Sequence, residues 1–404
     1  MPPRKKELVL AGLVLLTIPF IAEVALRLTH FPFEPQLYQL SRDRGWTLRP
    51  RAEGVVALEA SQRIRINEMG FRDKKRKYDK PGDVVRIAVL GNSWTEALQV
   101  PFENTYVAVM ERLLNDHICF AGRRVEVLNF GVAGYSTAQE LLLLHQEVWK
   151  YDPDIVLLAF YSARDVSNNV RKLNNTANPA QSPYFVFDAE KLVLDESFRS
   201  LPALKEGQIR LEAWNERIAE HVRVLQAIKA MQRFIKVQVA LAAVRERAEQ
   251  AGIGNLEYSI YAVPAEPEME EAWRVTEGVL QLMRDEVRAH GAQFRIVTLA
   301  NRPQVLPDMA KREELERKLG VNDLDYADRR IREFGAREGV AITSLAPSLS
   351  AYALEHHAYL NGFTAKNLGM GHWNETGHRL AGEIIVKDLC PSGVERATKR
   401  PGAP

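Results

Sequence analysis

The chain has 404 residues, with 54 basic and 52 acidic side chains and a formal net charge of +2 at pH 7. Charges that nearly cancel imply neither a nucleic-acid-binding surface nor an acidic ligand, so no nucleic-acid partner is expected. The length allows a full hydrophobic core and two or three domains. Cys119 and Cys390 are too few for a disulfide framework or a zinc site. They could form one bridge in an oxidising compartment or be two small buried residues.

The first thirty residues are unusual in composition. A basic segment, Arg4–Lys6, precedes a nearly unbroken apolar run of 19 residues, Leu8–Leu26. As a helix that run spans about 28 Å, close to the ~30 Å of a bilayer core. A cleaved signal peptide usually has a shorter apolar stretch, and a buried soluble helix is a third possibility. We predict an uncleaved transmembrane anchor within residues 1–30, with the rest of the chain on the outer side of a bacterial inner membrane.

After an irregular or β-rich extension at 31–85, short apolar runs alternate with helical patterns over residues 86–390. The apolar runs are "RIAVL", "VEVLNF", "DIVLLAFY", "FRIVTL" and "VAITSL". Five near-continuous apolar strands alternating with helices predict an α/β fold with a parallel sheet covered on both faces. The first connecting helix is expected at about Glu96 to Leu114.

An insertion at 171–267 interrupts this core. Its first part reads as a hairpin with a turn around Asp188 to Lys191. Leu211 to Gln250 then repeats apolar residues at spacings of three and four, which predicts a long helix or a helical pair with a basic, solvated opposite face. Residues 391–404 are expected to be a disordered tail.

Polar, glycine-containing segments follow the predicted strands, where parallel sheets bind their ligands. Ser93 lies in "GNSWTEA" after the first strand, Gly131 and Gly134 lie in "NFGVAGYST" after the second, and "FYSARDVSNN" follows the third. His372 lies in "NLGMGHWNETGH", ahead of the last helix. A hydroxyl that attacks an acyl carbon needs a base within hydrogen-bond reach and donors aimed at the oxyanion. Ser93 could instead be only a helix N-cap.

These four segments, in this order, resemble the sequence blocks of the SGNH hydrolases, the GDSL-type esterases and lipases. The resemblance implies a flavodoxin-like three-layer sandwich with a five-stranded parallel sheet. It also implies Ser93 as nucleophile, His372 as base, and an oxyanion hole formed by the N–H groups of Ser93 and Gly134. The anchor and the "HWNETGHRLAGE" ending are most similar to membrane-tethered envelope members, including relatives of the alginate-acetylation proteins.

Three positions depart from the family pattern. Asn92 replaces the first-block aspartate and can still hold the turn. Arg164 replaces the third-block asparagine; it could donate to an oxyanion or pair with Asp165 instead. Gly369 stands where the orienting aspartate is expected, so His372 needs another acceptor, either a backbone carbonyl in "NLGMG" or a carboxylate from elsewhere.

The resemblance implies a membrane-anchored serine esterase that removes an acyl group, such as acetyl, from an envelope or secreted glycan. No metal and no organic cofactor are expected. One alternative is a glycan O-acyltransferase, in which a sugar hydroxyl replaces water in resolving the same acyl-enzyme. A second is a degenerate SGNH domain that only binds glycan or a membrane partner.

Overall fold

The computed structural model describes residues 3–29, 35–57, 59–116, 119–176, 179–232, 235 and 256–390. The predicted tail at 391–404 and most of the second half of the predicted helical stretch Leu211–Gln250 lie outside these described residues.

The described strands and helices alternate through most of the chain. The strands are β1 Tyr38–Ser41, β2 Gly45–Leu48, β3 Glu53–Ala57, β4 Ser61–Arg65, β5 Val84–Gly91, β6 Arg124–Gly131, β7 Ile155–Phe160, β8 Tyr184–Asp188, β9 Lys191–Asp195, β10 Gln293–Thr298 and β11 Ala341–Ser344. The helices are α1 Pro3–Leu28, α2 Ser93–Glu96, α3 Tyr106–Asp116, α4 Thr137–Gln146, α5 Ser162–Asp165, α6 Glu206–His221, α7 (223–232), α8 Pro267–Ala289, α9 Met309–Leu319, α10 Tyr326–Glu338, α11 Ala346–Glu355 and α12 Glu375–Leu389.

The predicted five-stranded parallel sheet is confirmed. Its strands lie in the order β6-β5-β7-β10-β11, and every neighbouring pair is parallel. Counted along the chain as strands one to five, this is the doubly wound order 2-1-3-4-5. Every residue of β5 and β7 is buried, because helices cover both faces of the sheet and leave no polar side to the central strands. The carboxyl ends of all five strands therefore meet at one edge.

The outer layers bring distant parts of the chain together. Helix α3 packs against α12, and α4 packs against α8. A disulfide joins Cys119, just after α3, to Cys390 at the end of α12, with Cα atoms 5.8 Å apart. The bridge that the sequence left open is therefore present.

The first connecting helix begins later than predicted. Helix α2 ends at Glu96, because Ala97 takes the left-handed conformation with φ 55°. The buried Arg72 guanidinium donates hydrogen bonds to the carbonyl groups of Ala97 and Val100, which holds this segment out of the helix. Helix α3 starts only at Tyr106, so the prediction of one continuous helix from Glu96 was wrong over the nine residues 97–105.

The extension consists of two antiparallel hairpins, β1–β2 and β3–β4, that pack on the core domain. Ile64 and Ile66 are buried in the common hydrophobic core, and the Phe71 ring meets the Phe130 ring of β6 edge-on at 4.7 Å. This packing fixes the β3–β4 hairpin near the edge of the sheet where the strands have their carboxyl ends.

The insertion contains a hairpin and helices, and the N-terminal helix contacts its helical part. Asp188 pairs with Lys191 in the β8–β9 hairpin, where the sequence predicts the turn. Near the end of α1, the Glu23 carboxylate accepts hydrogen bonds from the backbone N–H groups of Arg223 and Val224, at 3.0 and 2.9 Å. Among the described residues, no helix combines the length and the apolar character needed to cross a membrane.

Candidate active site

Ser93 lies at the point where β5 turns into α2. Asn92 caps this helix, since its Oδ1 accepts the Trp94 N–H at 3.2 Å. The hydroxyl of Ser93 is thus not the N-cap and is left for another partner. Gly91 makes the turn possible, because a Cβ at this position would lie 2.1 Å from Thr95 Oγ1.

That partner is the imidazole of His372. Ser93 Oγ lies 2.8 Å from His372 Nε2, across 279 positions of sequence. His372 comes from the loop before α12, and the Trp94 ring packs against it with ring centres 4.9 Å apart. Asn374 caps α12 by accepting the Gly377 N–H at 3.1 Å, which fixes the chain just after the histidine. The serine and the histidine named by the sequence therefore meet at hydrogen-bond distance.

A third residue, Glu59, completes the arrangement from the extension. Its Oε1 lies 2.6 Å from His372 Nδ1, and its Oε2 accepts the backbone N–H of His372 at 2.8 Å. A carboxylate at this distance holds the proton on Nδ1, so Nε2 presents its lone pair to Ser93. The sequence left two acceptors open for His372, a backbone carbonyl of its own loop or a carboxylate from another segment. The structure has the carboxylate.

The glycines around His372 explain how Glu59 reaches it. Gly371 has φ 68°, and a Cβ on it would lie 2.1 Å from Glu59 Oε2. Gly369, at the position expected for the orienting aspartate, has φ 75° and packs against Tyr359. The loop before α12 thus has glycine where the aspartate is expected, and the absence of side chains leaves room for the Glu59 carboxylate.

The surroundings of Glu59 lower the pKa of its carboxyl group. Burial raises the pKa of this group. The hydrogen bond and the charge of the His372 side chain, together with the hydrogen bond from the His372 backbone N–H, lower the pKa by more, so it lies below the usual value for glutamate. A carboxylate in this position can stabilise a positively charged imidazole ring.

Ser93 and Gly134 both line the cavity that contains the Ser93 hydroxyl. Gly134 has φ 80°, and Trp46 of β2 packs against it. In the described part of the chain, neither the Ser93 N–H nor the Gly134 N–H has a hydrogen-bond acceptor. Paired N–H groups of this kind can stabilise a developing oxyanion.

Glu96 holds this glycine loop in place. Its fully buried carboxyl group accepts hydrogen bonds from the Tyr38 hydroxyl, at 2.7 Å, and from the Ala133 N–H, next to Gly134. Burial raises the pKa of Glu96 to about 7, although both hydrogen bonds oppose the shift. A single side chain of α2 thus connects the helix of Ser93, the glycine loop and the extension.

Asp165 and Arg164 do not pair with each other. Asp165 is buried and accepts hydrogen bonds from Asn92 Nδ2 at 3.0 Å and from the Tyr161 N–H at 2.6 Å. Burial raises the pKa of Asp165 to about 7. The pKa of the neighbouring Glu140 is raised well above its usual range, by burial and by the charge of Asp165. Arg164 donates to Asn175 instead. Asp165 therefore supports the turn at Asn92, while Arg164 is directed to the cavity wall.

Ser93 and His372 open into a cavity of about 450 Å³. Its wall is formed by Asn92, Ser93, Trp94, Gly134, Tyr135, Tyr161, Arg164, Asn168, Asn175, Thr176, Arg302, Gly371 and His372. Over the described ranges of the chain, no group of three or more His, Cys, Asp or Glu side chains could hold a metal ion. His378 lies behind the site: it is buried, its Nδ1 accepts the Tyr106 N–H at 3.3 Å, and burial lowers its pKa to about 3.

The sequence did not identify Glu59 or Glu96. Glu59 lies in the turn between two short alternating segments, "GVVAL" and "QRIRI", and that hairpin was the only available signal. Nothing in the pattern connects the hairpin to a histidine 313 positions away. Glu96 lies within the "GNSWTEA" motif, yet its buried contacts come from two other segments.

Comparisons with known proteins give distant likenesses only. No family model and no curated protein matches the sequence. Among solved structures, the chain is similar to the acetyl xylan esterase AlAXEase, at 13% identity and a TM-score of 0.39 over 75% of this chain and 99% of that one. It is also similar to a catalytic mutant of Axe2, an acetylxylan esterase from Geobacillus stearothermophilus, at 11% identity and TM-score 0.39, over 80% of this chain and 100% of that one. A putative lipolytic protein of the G-D-S-L family from Desulfitobacterium hafniense DCB-2 has 10% identity and TM-score 0.34, over 75% of this chain and 98% of that one. Likenesses this distant do not define the activity of this chain.

Proposed function

We propose that the chain is a serine esterase of the SGNH type that removes acyl groups, acetyl in particular, from an envelope or secreted glycan. The observation that carries this proposal is the hydrogen-bonded series of Glu59, His372 and Ser93, with contacts of 2.6 and 2.8 Å, at the ligand-binding edge of a parallel sheet. An acid, an imidazole and a hydroxyl in this order form the arrangement that activates a serine for acyl transfer.

The reaction follows from this geometry. Ser93 Oγ attacks the ester carbon while His372 Nε2 takes the hydroxyl proton, and Glu59 stabilises the resulting imidazolium. The N–H groups of Ser93 and Gly134 stabilise the oxyanion of the tetrahedral intermediate. The bond from carbon to the alcohol oxygen then breaks, His372 returns the proton to that oxygen, and an acyl ester remains on Ser93. Water attacks this ester by the same route, which releases the carboxylic acid and restores the serine hydroxyl.

The experiment is turnover of p-nitrophenyl acetate and of an acetylated xylo-oligosaccharide by the full chain. Ser93→Ala and His372→Ala should lose almost all turnover, while the control Ser348→Ala, at an exposed serine of α11, should keep it. Free acetate indicates hydrolysis, and acetate found on an added unacetylated oligosaccharide indicates the acyltransferase. A wild-type chain that hydrolyses neither ester, or a Ser93→Ala chain as active as wild type, would contradict the proposal.

We further propose that the enzyme works outside the cytoplasm, attached to a bacterial inner membrane by its N-terminal segment. The Cys119–Cys390 disulfide supports an extracytoplasmic location, because disulfides persist in oxidising compartments. The apolar run Leu8–Leu26 behind a basic segment supports the attachment. Fractionation tests both: the chain should stay in membrane pellets after an alkaline wash and be cleaved by protease added to spheroplasts. Recovery from the cytosol with two free thiols would contradict this location.

A further inference from the structure

Two arginines line the cavity in front of Ser93. Arg164 lies in α5, directly after β7, and Arg302 lies four residues after β10, the strand that pairs with β7. The parallel sheet thus delivers both guanidinium groups to the same edge as the nucleophile. Both residues are half-buried.

Neither guanidinium group has an acidic partner among the residues that the structure describes. Arg164 Nη1 donates to the neutral side-chain oxygen of Asn175, and Arg302 Nη1 lies 3.2 Å from Met370 Sδ. A guanidinium has five N–H donors, so these contacts leave donors free on both residues.

The wall of the cavity contains no carboxylate to neutralise the two charges. Two acids that contact residues of the wall already have partners. Glu59 is bound to His372, and Asp165 is buried behind Asn92 and bound to it. The cavity therefore presents two positive charges and no negative one.

We infer that the substrate carries an oxyanion group, a carboxylate or a phosphate, beside the acyl ester that Ser93 attacks. The planar fork of an arginine matches such groups with two parallel hydrogen bonds. The anion binds Arg164 and Arg302 and places the ester carbon against Ser93. This inference rests on the proposed function for its ester, but the charge of the ligand can be tested separately.

The kinetic test compares an O-acetylated hexuronic acid glycoside, its carboxyl methyl ester and an O-acetylated hexose phosphate on the full chain. Hydrogen bonds to a charged group predict kcat/KM at least about tenfold higher for the acid than for its methyl ester. Arg302→Gln and Arg164→Gln should each bring this ratio towards one. Arg210→Gln is the matched control and should keep the ratio, because Arg210 lies on exposed α6 and pairs with Glu206. The hexose phosphate identifies which oxyanion is preferred.

The ratio cancels general damage to the catalytic machinery, because both substrates use the same serine. A wild-type ratio near one, or a ratio that survives both arginine substitutions, overturns the inference and leaves the esterase proposal intact. Calorimetry on the Ser93→Ala full chain gives a readout without turnover. This Ser93→Ala chain should bind the deacetylated hexuronate at least about tenfold more tightly than the methyl ester of that hexuronate. Equal binding of the two ligands also overturns the inference. If this preference is found while no ester is hydrolysed, the anion site stands and the esterase proposal falls.

Discussion

Replacing Glu59 by glutamine tests the contribution of the extension to catalysis. The amide has nearly the same shape as the carboxyl group, so it can occupy the same space beside Gly371. Its NH₂ group, however, donates to His372 Nδ1 and favours the tautomer with a proton on Nε2. That nitrogen then cannot accept the proton of Ser93, and no negative charge faces the imidazolium.

The size of the effect follows from the contact distance. Opposite unit charges 2.6 Å apart attract by about 6 kcal/mol at an effective dielectric constant near 20. The two side chains are 26% and 23% exposed, so water screens part of this attraction. A loss of about 4–5 kcal/mol in the transition state corresponds to a kcat lower by roughly 10³- to 10⁴-fold.

The assay is kcat for p-nitrophenyl acetate at neutral pH, together with a circular dichroism melting curve. Glu53→Gln is the control, since this carboxylate lies on the same hairpin but pairs with Arg63. It should keep wild-type turnover. If Glu59→Gln is folded and retains more than about a tenth of the wild-type kcat, Glu59 does not orient His372 and our reasoning about the extension is wrong.

Three other predictions concern the support of the site. Gly371→Ala places a Cβ 2.1 Å from Glu59 Oε2 and should lower kcat by at least ~10²-fold. Gly82→Ala, where a Cβ has open space, should leave kcat unchanged. Equal kcat values for the two variants would contradict the contact between Gly371 and Glu59. Burial raises the pKa of Glu96 from about 4.5 in the unfolded chain to about 7 in the folded one. Between these two pH values the folded chain therefore binds more protons than the unfolded chain, so the free energy of unfolding falls as pH rises. Urea unfolding measures the free energy of unfolding at pH 5 and at pH 8. The decrease between these pH values should be smaller for Glu96→Gln than for wild type, by up to about 3 kcal/mol. Identical decreases would refute the raised pKa of Glu96. Opening the disulfide by Cys119→Ser with Cys390→Ser should destabilise the chain by about 5.6 kcal/mol in the chain-entropy model, because the bridge closes a loop of 271 positions. An unchanged urea midpoint would show that the loop is restrained without the bridge.

The sheet could be predicted because its strands are buried on both faces. A strand such as β7 must be apolar at every position, and such runs are visible without knowledge of their neighbours. The rule that parallel sheets bind ligands at their carboxyl ends then placed Ser93 correctly relative to the glycine loop. The same rule gave the position of Arg164 but not its partner, since Asn175 lies beyond the strand end in the insertion.

The rest of the site depends on contacts between segments that are far apart in sequence. Glu59 reaches His372 only because the β3–β4 hairpin packs on the core through residues such as Ile64 and because Gly371 lacks a side chain. Local patterns contain neither fact. The late start of α3 has a similar cause, because the carbonyl groups of Ala97 and Val100 are bound by Arg72 from the extension.

The most direct test of the central arrangement is to map the site of covalent labelling by a fluorophosphonate probe on the full chain. Tandem mass spectrometry should place the label on Ser93, and the labelling rate should fall sharply in His372→Ala and Glu59→Gln while Glu53→Gln reacts like wild type. A wild-type chain that takes no label, or carries it on another serine, would contradict the account.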